Sequence, residues 1–326
     1  MILKLKHMGA AIVLASGLMS VSAHASLTAF QTFTGTVGVS TDGFGSTSQA
    51  GVISALVPVG STVIAAYLYT STFAASLAGV GGTLQGNAVT YTSLGTNNAS
   101  SVLTAGRADV TSIVKPLIDG GPGGVYNFNV TETSSVQDGE ALVVVYSNGA
   151  LAIGTIGILD GFSASSGDST AINFAAGLNP LAPGFKAEMF LGIGFSCCSQ
   201  QSTVTVNGTT ITTTAGNNDD GLGSLSNGQL ITVGGFDDPI SGFLPSYAND
   251  HERYSLTPQI TAGDTSIAIR TLNPSSDDNI FLAVFDVSGI AFINEPPNGV
   301  PEPGSLALMG LALAAVGLQR RREKRA

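Results

Sequence analysis

The sequence predicts an all-β fold, with one or two β-sandwich or jelly-roll domains between an N-terminal signal peptide and a short C-terminal transmembrane helix. Apolar runs rich in Val, Ile, Thr and Tyr recur at short intervals between Gly, Asn, Asp and Pro, which is typical of strands joined by turns. Only 10% of the 326 residues are charged, and 42 are glycines. Outside the two ends, no long stretch repeats apolar residues at the helical period of 3.6.

The first element is an N-terminal export signal. Two lysines lie within the first six residues, residues 8–21 are mostly apolar, and Ala23 and Ala25 form an A-x-A cleavage site. This order is that of a secretory signal peptide. We therefore predict that residues 1–25 are removed during export by the Sec route and that the mature protein begins at Ser26.

The first half of the body, residues 26–165, is predicted to form a β-sandwich domain. Strands are expected at residues 62–70, 82–93, 125–132, 140–147 and 151–159. Gln85-Gly86-Asn87 gives a turn inside the second of these. Residues 108–118 are the one short helix expected in the body, because Asp109 can cap its start and Pro116 limits its length.

The second half, residues 166–295, is predicted to form a second β-sandwich domain. Strands are expected at residues 186–195, 202–213, 229–234, 265–272 and 279–293. Asn207-Gly208 between two Thr/Val runs is a type I′ hairpin signal. The boundary near residue 165 follows from the Ser/Gly-rich stretch 163–170, and a single two-layer sandwich of many strands is the alternative.

The C-terminal segment, residues 296–326, has three parts. Val300, Pro301, Glu302 and Pro303 form a stiff acidic linker, because proline fixes φ and lacks a backbone donor. The uncharged run 304–318 would span about 22 Å as a helix, short of a hydrocarbon core of about 30 Å. A cluster of basic residues closes the chain, including Arg320, Arg321 and Arg322. By the positive-inside rule, this end stays in the cytoplasm; a buried helix of the globular body is the alternative.

The ordered triple of V-P-E-P, apolar helix and arginines is similar to the PEP-CTERM sorting signal of Gram-negative bacteria that make extracellular polysaccharide. The resemblance covers residues 299–325. It implies that an exosortase-like membrane enzyme reads Pro301-Glu302-Pro303, that the chain is anchored transiently in the inner membrane, and that it ends at the cell surface or outside the cell, near exopolysaccharide. Segments 66–70, 108–114 and 141–162 loosely resemble β-sandwich modules of bacterial surface proteins, which implies no catalytic residues.

The body between the two signals is strongly acidic. The whole chain has 12 Lys+Arg and 22 Asp+Glu, and seven of these basic residues but only two of the acidic ones lie in the two ends. The body therefore keeps five basic and 20 acidic residues, a net charge of −15. Such a surface repels phosphate backbones, which excludes nucleic acid as a partner, and it is compatible with divalent cations and neutral glycans.

The body offers few residues for catalysis. Its one histidine, His251, lies in a polar stretch without a G-x-S-x-G motif, so a solvated loop is the simpler interpretation. One histidine and two adjacent cysteines do not supply spaced zinc ligands. Cys197 and Cys198 lack the C-x-x-C spacing of redox catalysts, and whether they are bridged is left open.

Pairs of acidic residues are the better lead to a site. Asp219, Asp220, Asp277 and Asp278 lie in turn-like sequence of the second half. Acidic loops of this kind either form Asx turns or supply oxygen ligands to a structural calcium ion, and the pattern is not that of an EF-hand. Both readings stay open, and no other cofactor is expected.

The sequence as a whole favours an exported, non-catalytic protein of the cell surface or extracellular matrix. Two alternatives remain. One is a calcium-dependent carbohydrate-binding module. The other is a secreted hydrolase that uses paired carboxylates or His251.

Overall fold

The computed structural model describes residues 27–45, 47–97, 102–164, 166–197, 200–217, 219–220, 228–240, 251–272 and 279–296. Within these ranges the chain forms 20 strands, one α-helix and one 3-10 turn (Thr257–Gln259), which confirms the all-β prediction. None of the helices in this part of the chain is long and apolar enough to cross a membrane. The predicted signal peptide and transmembrane helix lie outside the described residues.

Two sheets have central strands that are buried on both faces, and we call them the inner sheets. Inner sheet I has the order β2 (Val37–Phe44), β10 (Gln137–Ser147), β4 (Thr62–Thr72), β8 (Thr104–Asp109), β7 (Thr92–Thr96). Inner sheet II has the order β1 (Thr28–Gly35), β11 (Gly154–Asp160), β19 (Ile280–Ser288), β13 (Ala187–Ile193), β16 (Thr232–Val233), and β17 (Arg253–Ser255) also pairs with β13. Strands β10, β11 and β19 are near-continuous apolar runs because both of their faces are covered.

Two further sheets cover the inner ones, and we call them the outer sheets. Outer sheet I has the order β3 (Ala50–Val57), β9 (Gly124–Glu132), β5 (Gly82–Leu84), β6 (Asn87–Val89). Outer sheet II has the order β15 (Thr209–Ala215), β14 (Ser202–Val206), β18 (Ser266–Leu272), β12 (Asp168–Phe174), β20 (Ala291–Ile293). Their strands alternate: in β18, Ile267 and Ile269 are buried while their neighbours are exposed. This is the pattern of a sheet with one face in solvent.

Three hydrophobic cores hold the four sheets in a stack. Leu142 and Val144 of β10 join the core between inner and outer sheet I. Val143 and Val145, which point to the other face of the same strand, join the core between the two inner sheets. A third core, which includes Ile267, lies between inner and outer sheet II. Because successive side chains of β10 point to opposite faces of the sheet, this one strand contributes to two cores.

Most predicted strands are present, with shifted ends. Both predicted turns are confirmed: the φ angles are 50° and 74° at Gln85 and Gly86, and 49° and 79° at Asn207 and Gly208. The expected helix begins later than predicted, as α1 (Thr111–Ile118), because residues 108–109 pair with β4 as the end of β8. The N-cap is Val110, without a side-chain cap, so Asp109 does not cap the helix as predicted; its Oδ1 lies just before the helix and accepts the Thr111 N–H at 2.9 Å.

The two halves of the chain share inner sheet II. Strands β1 and β11 come from before residue 165, while β13, β16 and β19 come from after it. Strand β11 pairs with β1 on one side and with β19 on the other over its whole length. The division into two domains near residue 165 stays a prediction.

Candidate functional site

A run of polar residues opens β10, a strand that otherwise is almost wholly apolar. Gln137, Asp138 and Glu140 are only 5%, 6% and 0% exposed. The pairing of β10 with β4 shifts by one residue around Asp138, which is the extra residue of a β-bulge. Bulges re-aim a side chain and often lie next to functional sites. This end of inner sheet I is therefore a candidate functional site.

Glu140 forms the fixed, interior part of the polar group. The Tyr91 hydroxyl donates to Glu140 Oε2 at 2.6 Å, and Gln137 Nε2 donates to Oε1 at 3.1 Å. Burial raises the pKa of the Glu140 carboxyl well above its usual range, and the charge of Glu132 adds to this while the Tyr91 hydrogen bond opposes it. Because both of its oxygens are used inside the protein, Glu140 supports the site rather than offering a group to a ligand.

Glu132, the last residue of β9, lacks such support. Its side chain is 8% exposed, and neither carboxyl oxygen has a hydrogen-bond partner in the described part of the chain. Burial, and then the charge of Asp138, raise the pKa of Glu132 to about 8. The neutral acid is therefore the main form at pH 7, since a buried carboxylate without donors is costly.

The hydrogen-bonding capacity of the Asp138 carboxyl group is only partly used. The backbone N–H of Phe195 donates to its carboxyl group, but Oδ2 has no partner among the described residues. Burial raises the pKa of Asp138 to about 8; the Phe195 N–H opposes this, and the charge of Asp219 adds to it. A methyl group at Gly194 would collide with Ser71 Oγ and lie 3.9 Å from Asp138 Oδ2, so a glycine keeps the space beside both oxygens free.

A cavity of about 360 Å³ lies at this end of the sheet, and we call it the Asp138 cavity. Its polar lining consists of Thr47, Gln49, Ser135, Gln137, Asp138 and Gln229. Its apolar lining consists of Phe73, Val136, Phe195 and Leu230. The Phe73 and Phe195 rings are tilted against each other with centroids 5.1 Å apart, and Phe73 is 44% exposed. The cavity thus combines an aromatic wall with several hydrogen-bonding side chains.

Gln49 has an unusual backbone for its residue type. Its φ of 57° lies in the left-handed region, which residues other than glycine seldom adopt. Its Nε2 is buried and has no hydrogen-bond partner among the described residues. Such strain occurs preferentially at functional sites, so Gln49 belongs with Asp138 in the candidate site.

A second group of acidic residues surrounds Gly235. A methyl group built there would lie 2.7 Å from Asp237 Oδ1, 3.2 Å from Asp238 Oδ2 and 3.4 Å from Asp42 Oδ1. Burial, with the charge of Asp237 adding to it, raises the pKa of Asp42 to about 7 and that of Asp238 to about 6, and at Asp238 the Gly235 N–H and the nearby His251 and Arg253 oppose the rise. Backbone N–H groups stabilise the cluster: Gly235 donates to Asp238 Oδ2 at 2.7 Å, and Ser54 donates to Asp42 Oδ2.

Of the four predicted calcium ligands, only Asp219 and Asp220 lie within the described residues. Asp219 Oδ1 accepts the N–H of Leu230, 11 residues on, at 3.2 Å, and Asp220 Oδ2 accepts the N–H of Val233, 13 residues on; neither bond is that of an Asx turn, which reaches only two residues along the chain. Asp277 and Asp278 lie outside the described residues. Among the described residues, no group of three or more His, Cys, Asp or Glu is arranged to hold a metal ion. A structural calcium ion at the four predicted positions stays a prediction.

Three further residues of the second half, His251, Glu252 and Cys197, are held by contacts with their surroundings. His251 Nδ1 lies 3.4 Å from Asp238 Oδ1. Glu252 is fully buried, and its carboxyl group accepts the Gly216 N–H at 2.6 Å and the Tyr254 hydroxyl at 2.8 Å. Cys197 is disulfide-bonded, and Cys198 lies outside the described residues.

Comparison with known families decides the meaning of the C-terminal segment. Residues 299–322 match the PEP-CTERM protein-sorting motif. The match includes Val300, Pro301, Glu302, Pro303 and the arginines 320–322, all outside the described structure. The sorting signal therefore marks this chain for export and for membrane-associated processing by an exosortase-type enzyme.

The remaining comparisons add no relative. No curated protein and no solved structure matches the chain. The predicted signal-peptide cleavage site, Ala23, Ala25 and Ser26, lies outside the described residues. The arrangement around Asp138 has to be interpreted from its own chemistry.

Sequence reasoning missed the residues of the Asp138 cavity. Glu132, Asp138 and Gln49 belong to no known motif, and Gln49 is distant in sequence from the other two. One signal could have pointed to them: Gln-Asp-Gly-Glu directly precedes the apolar run 141–146, so polar residues must continue into a strand whose faces are both covered.

Proposed function

We propose that this chain is an exported, non-catalytic protein of the cell surface or extracellular matrix, released to its place by an exosortase-type enzyme and associated with exopolysaccharide. The observation that carries the proposal is the sorting motif at residues 299–322. The N-terminal residues supply the matching export signal, which we assign to the Sec route.

The body supports a place outside the cell. Its net charge of −15 and its all-β fold of short strands suit a solvated extracellular protein. Repulsion of phosphate groups argues against nucleic acid and leaves neutral glycans as natural neighbours. We therefore assign the matrix polysaccharide, and not an anionic polymer, as the environment of the body.

The non-catalytic assignment is supported by the chemistry of the acidic residues. The best candidates for an acid–base pair, Glu132 and Asp138, both have a pKa of about 8, mainly from burial, to which the charge of Asp138 adds at Glu132 and the charge of Asp219 adds at Asp138. Glycoside hydrolysis needs one protonated and one ionised carboxyl group at the working pH, and these two groups would both be mostly protonated at pH 7.

The proposal is tested by the mass of the protein in the producing cell. Intact protein from the medium and from the envelope should begin at Ser26 and end near Pro303. Replacing Pro301, Glu302 and Pro303 by alanine should abolish the C-terminal cut, so that the basic end from Arg320 is retained. The matched control replaces Glu295, Pro296 and Pro297, which have the same composition, and should be processed normally.

Two outcomes would contradict the sorting proposal. Either the alanine variant of the motif is cut as efficiently as the wild type, or the wild type retains Arg320 in every fraction. Association with the matrix is read separately, as the fraction of protein that sediments with isolated exopolysaccharide.

A further inference from the structure

The Asp138 cavity has the properties of a ligand site. Its volume of about 360 Å³ lies within the range of small-molecule pockets. Asp138 is 6% exposed and leaves Oδ2 without a hydrogen-bond partner in the described part of the chain, and Gln49 does the same with Nε2. Buried polar atoms are nearly always paired, so two unpaired ones beside one cavity indicate a missing partner.

The lining argues against a charged ligand. Among the described residues that line the cavity, none is Lys, Arg or His, so a phosphate or carboxylate would find no counter-ion. A cation is disfavoured as well. Burial raises the pKa of Asp138 to about 8, and that of nearby Glu132 to a similar value, so the acids are mostly neutral at pH 7.

The groups that are present suit a neutral ligand with many hydroxyl groups. A neutral carboxyl group and a side-chain amide each donate and accept hydrogen bonds, as a sugar hydroxyl does. The rings of Phe73 and Phe195 offer an apolar surface to the C–H face of a sugar ring. The exposed edge of Phe73 leaves the cavity reachable from outside.

We propose that the Asp138 cavity binds a neutral saccharide unit, with Phe73 and Phe195 against the sugar ring and Asp138 and Gln49 hydrogen-bonded to its hydroxyl groups. The proposal rests on the proposed function in one respect, since the exopolysaccharide would supply the sugar. The proposed binding of the sugar does not use calcium, in contrast to the calcium-dependent carbohydrate-binding module that the sequence left open.

Binding is measured on the protein purified from the producing cell. The probes are glucose, galactose, mannose and xylose, each as the monosaccharide and as short neutral oligosaccharides, and the readout is isothermal titration calorimetry or ligand-observed NMR. At least one probe should bind, and excess EDTA should leave its affinity unchanged. A loss of binding in EDTA would assign the contact to calcium and overturn the proposal.

Substitutions then locate the site. Phe73→Ala and Gln49→Ala should each weaken binding about tenfold, the effect of roughly 1.4 kcal/mol of lost contact. Ile290→Ala, which changes an exposed apolar residue of a different cavity, is the matched control and should bind as the wild type does. An unchanged urea midpoint in Phe73→Ala shows that the variant is folded.

The ionisation of Asp138 gives a second, independent readout. The charge of Asp219 acts on Asp138; the charge of Asp138 acts in turn on Glu132 of β9, and that of Glu132 on Glu140. Wild-type affinity should fall about tenfold between pH 7 and pH 9, because the ionised carboxyl group loses its donor. Asp138→Asn should remove most of that pH dependence, whatever its affinity at pH 7.

The proposal is wrong if no neutral sugar binds, or if Phe73→Ala and Gln49→Ala bind as tightly as the wild type. Since the assay uses purified protein, a failure of C-terminal processing in cells leaves its result intact. Conversely, a failure to bind sugar leaves the sorting motif and its processing untouched.

Discussion

Asp42, Glu132, Asp138 and Asp238 each place a carboxyl group where water has little access. Burial is the largest cause of their raised pKa values, which are about 7, 8, 8 and 6. The folded chain therefore keeps protons that the unfolded chain has already lost above pH 4 to 5. Since the unfolded state binds fewer protons, the free energy of unfolding falls as the pH rises from about 5 to 8.

Glu132→Gln should flatten this pH dependence. The amide cannot ionise, so the variant avoids a buried charge without donors and gains about 2 kcal/mol or more over the wild type at pH 9, with little difference at pH 5. Urea unfolding of both proteins between pH 5 and pH 9 measures this difference in the free energy of unfolding. The exposed Glu295 gives the control, Glu295→Gln, which should keep the wild-type slope. A wild-type slope in Glu132→Gln would show that its carboxyl group is not the titrating one.

At the residue scale, a contact between residues close in sequence could be predicted, whereas the meeting of residues distant in sequence could not. Asp109 was expected to serve the helix start, and its Oδ1 accepts the Thr111 N–H there, although Val110 is the N-cap. Gln49 and Asp138 lie far apart in the sequence, and only the tertiary fold brings them to one cavity. No spacing in the sequence contains that information.

Among the elements, the turns followed most directly from the sequence. Asn207-Gly208 and Gln85-Gly86 have positive φ at both central positions, as a two-residue hairpin needs. The sequence did not predict strands β1, β2 and β3, which lie between residues 28 and 57, or strand β12 at residues 168–174. Their apolar residues are diluted by Gly, Ser and Thr, and they are strands because neighbours pair with them.

Gly208→Ala tests the hairpin between β14 and β15. Its φ is 79°, and a methyl group there would meet no atom within 4 Å, so any loss of stability comes from the backbone alone. We expect a loss of about 1 kcal/mol in urea unfolding. The matched control is Gly149→Ala, equally open but without positive φ, which should be neutral or slightly stabilising. Equal effects at the two glycines would count against a strained turn.

At the scale of the whole molecule, an ion pair crosses the core between the inner sheets. Arg107 of β8 pairs with Asp160 of β11, and the Tyr69 hydroxyl donates to the same carboxyl group at 3.1 Å. Arg107 also lies over the Phe30 ring, 3.4 Å from its centroid. The contact joins inner sheet I to inner sheet II, as does the hydrogen bond from the Tyr67 hydroxyl of β4 to Gln31 Oε1 of β1.

Removing the arginine should destabilise the stack. Arg107→Ala leaves Asp160, whose side chain is 6% exposed, as a buried carboxyl group without its cation, at a cost of about 3 kcal/mol in the free energy of unfolding. Lys115→Ala removes the lysine of a more exposed pair, with Asp119, and should cost about 0.5 kcal/mol. A loss no larger in Arg107→Ala than in this control would show that the inner sheets do not depend on the contact.

The sequence by itself determined the sorting signal of this protein and the class of its fold. The sorting motif is read as a linear segment, and alternating or continuous apolar runs report which faces of a strand are covered. Only the tertiary structure decided how the sheets stack and where the Asp138 cavity lies. Pairing between distant strands places Gln49, Phe73, Asp138 and Phe195 around one space, and that pairing depends on packing energies summed over the whole chain.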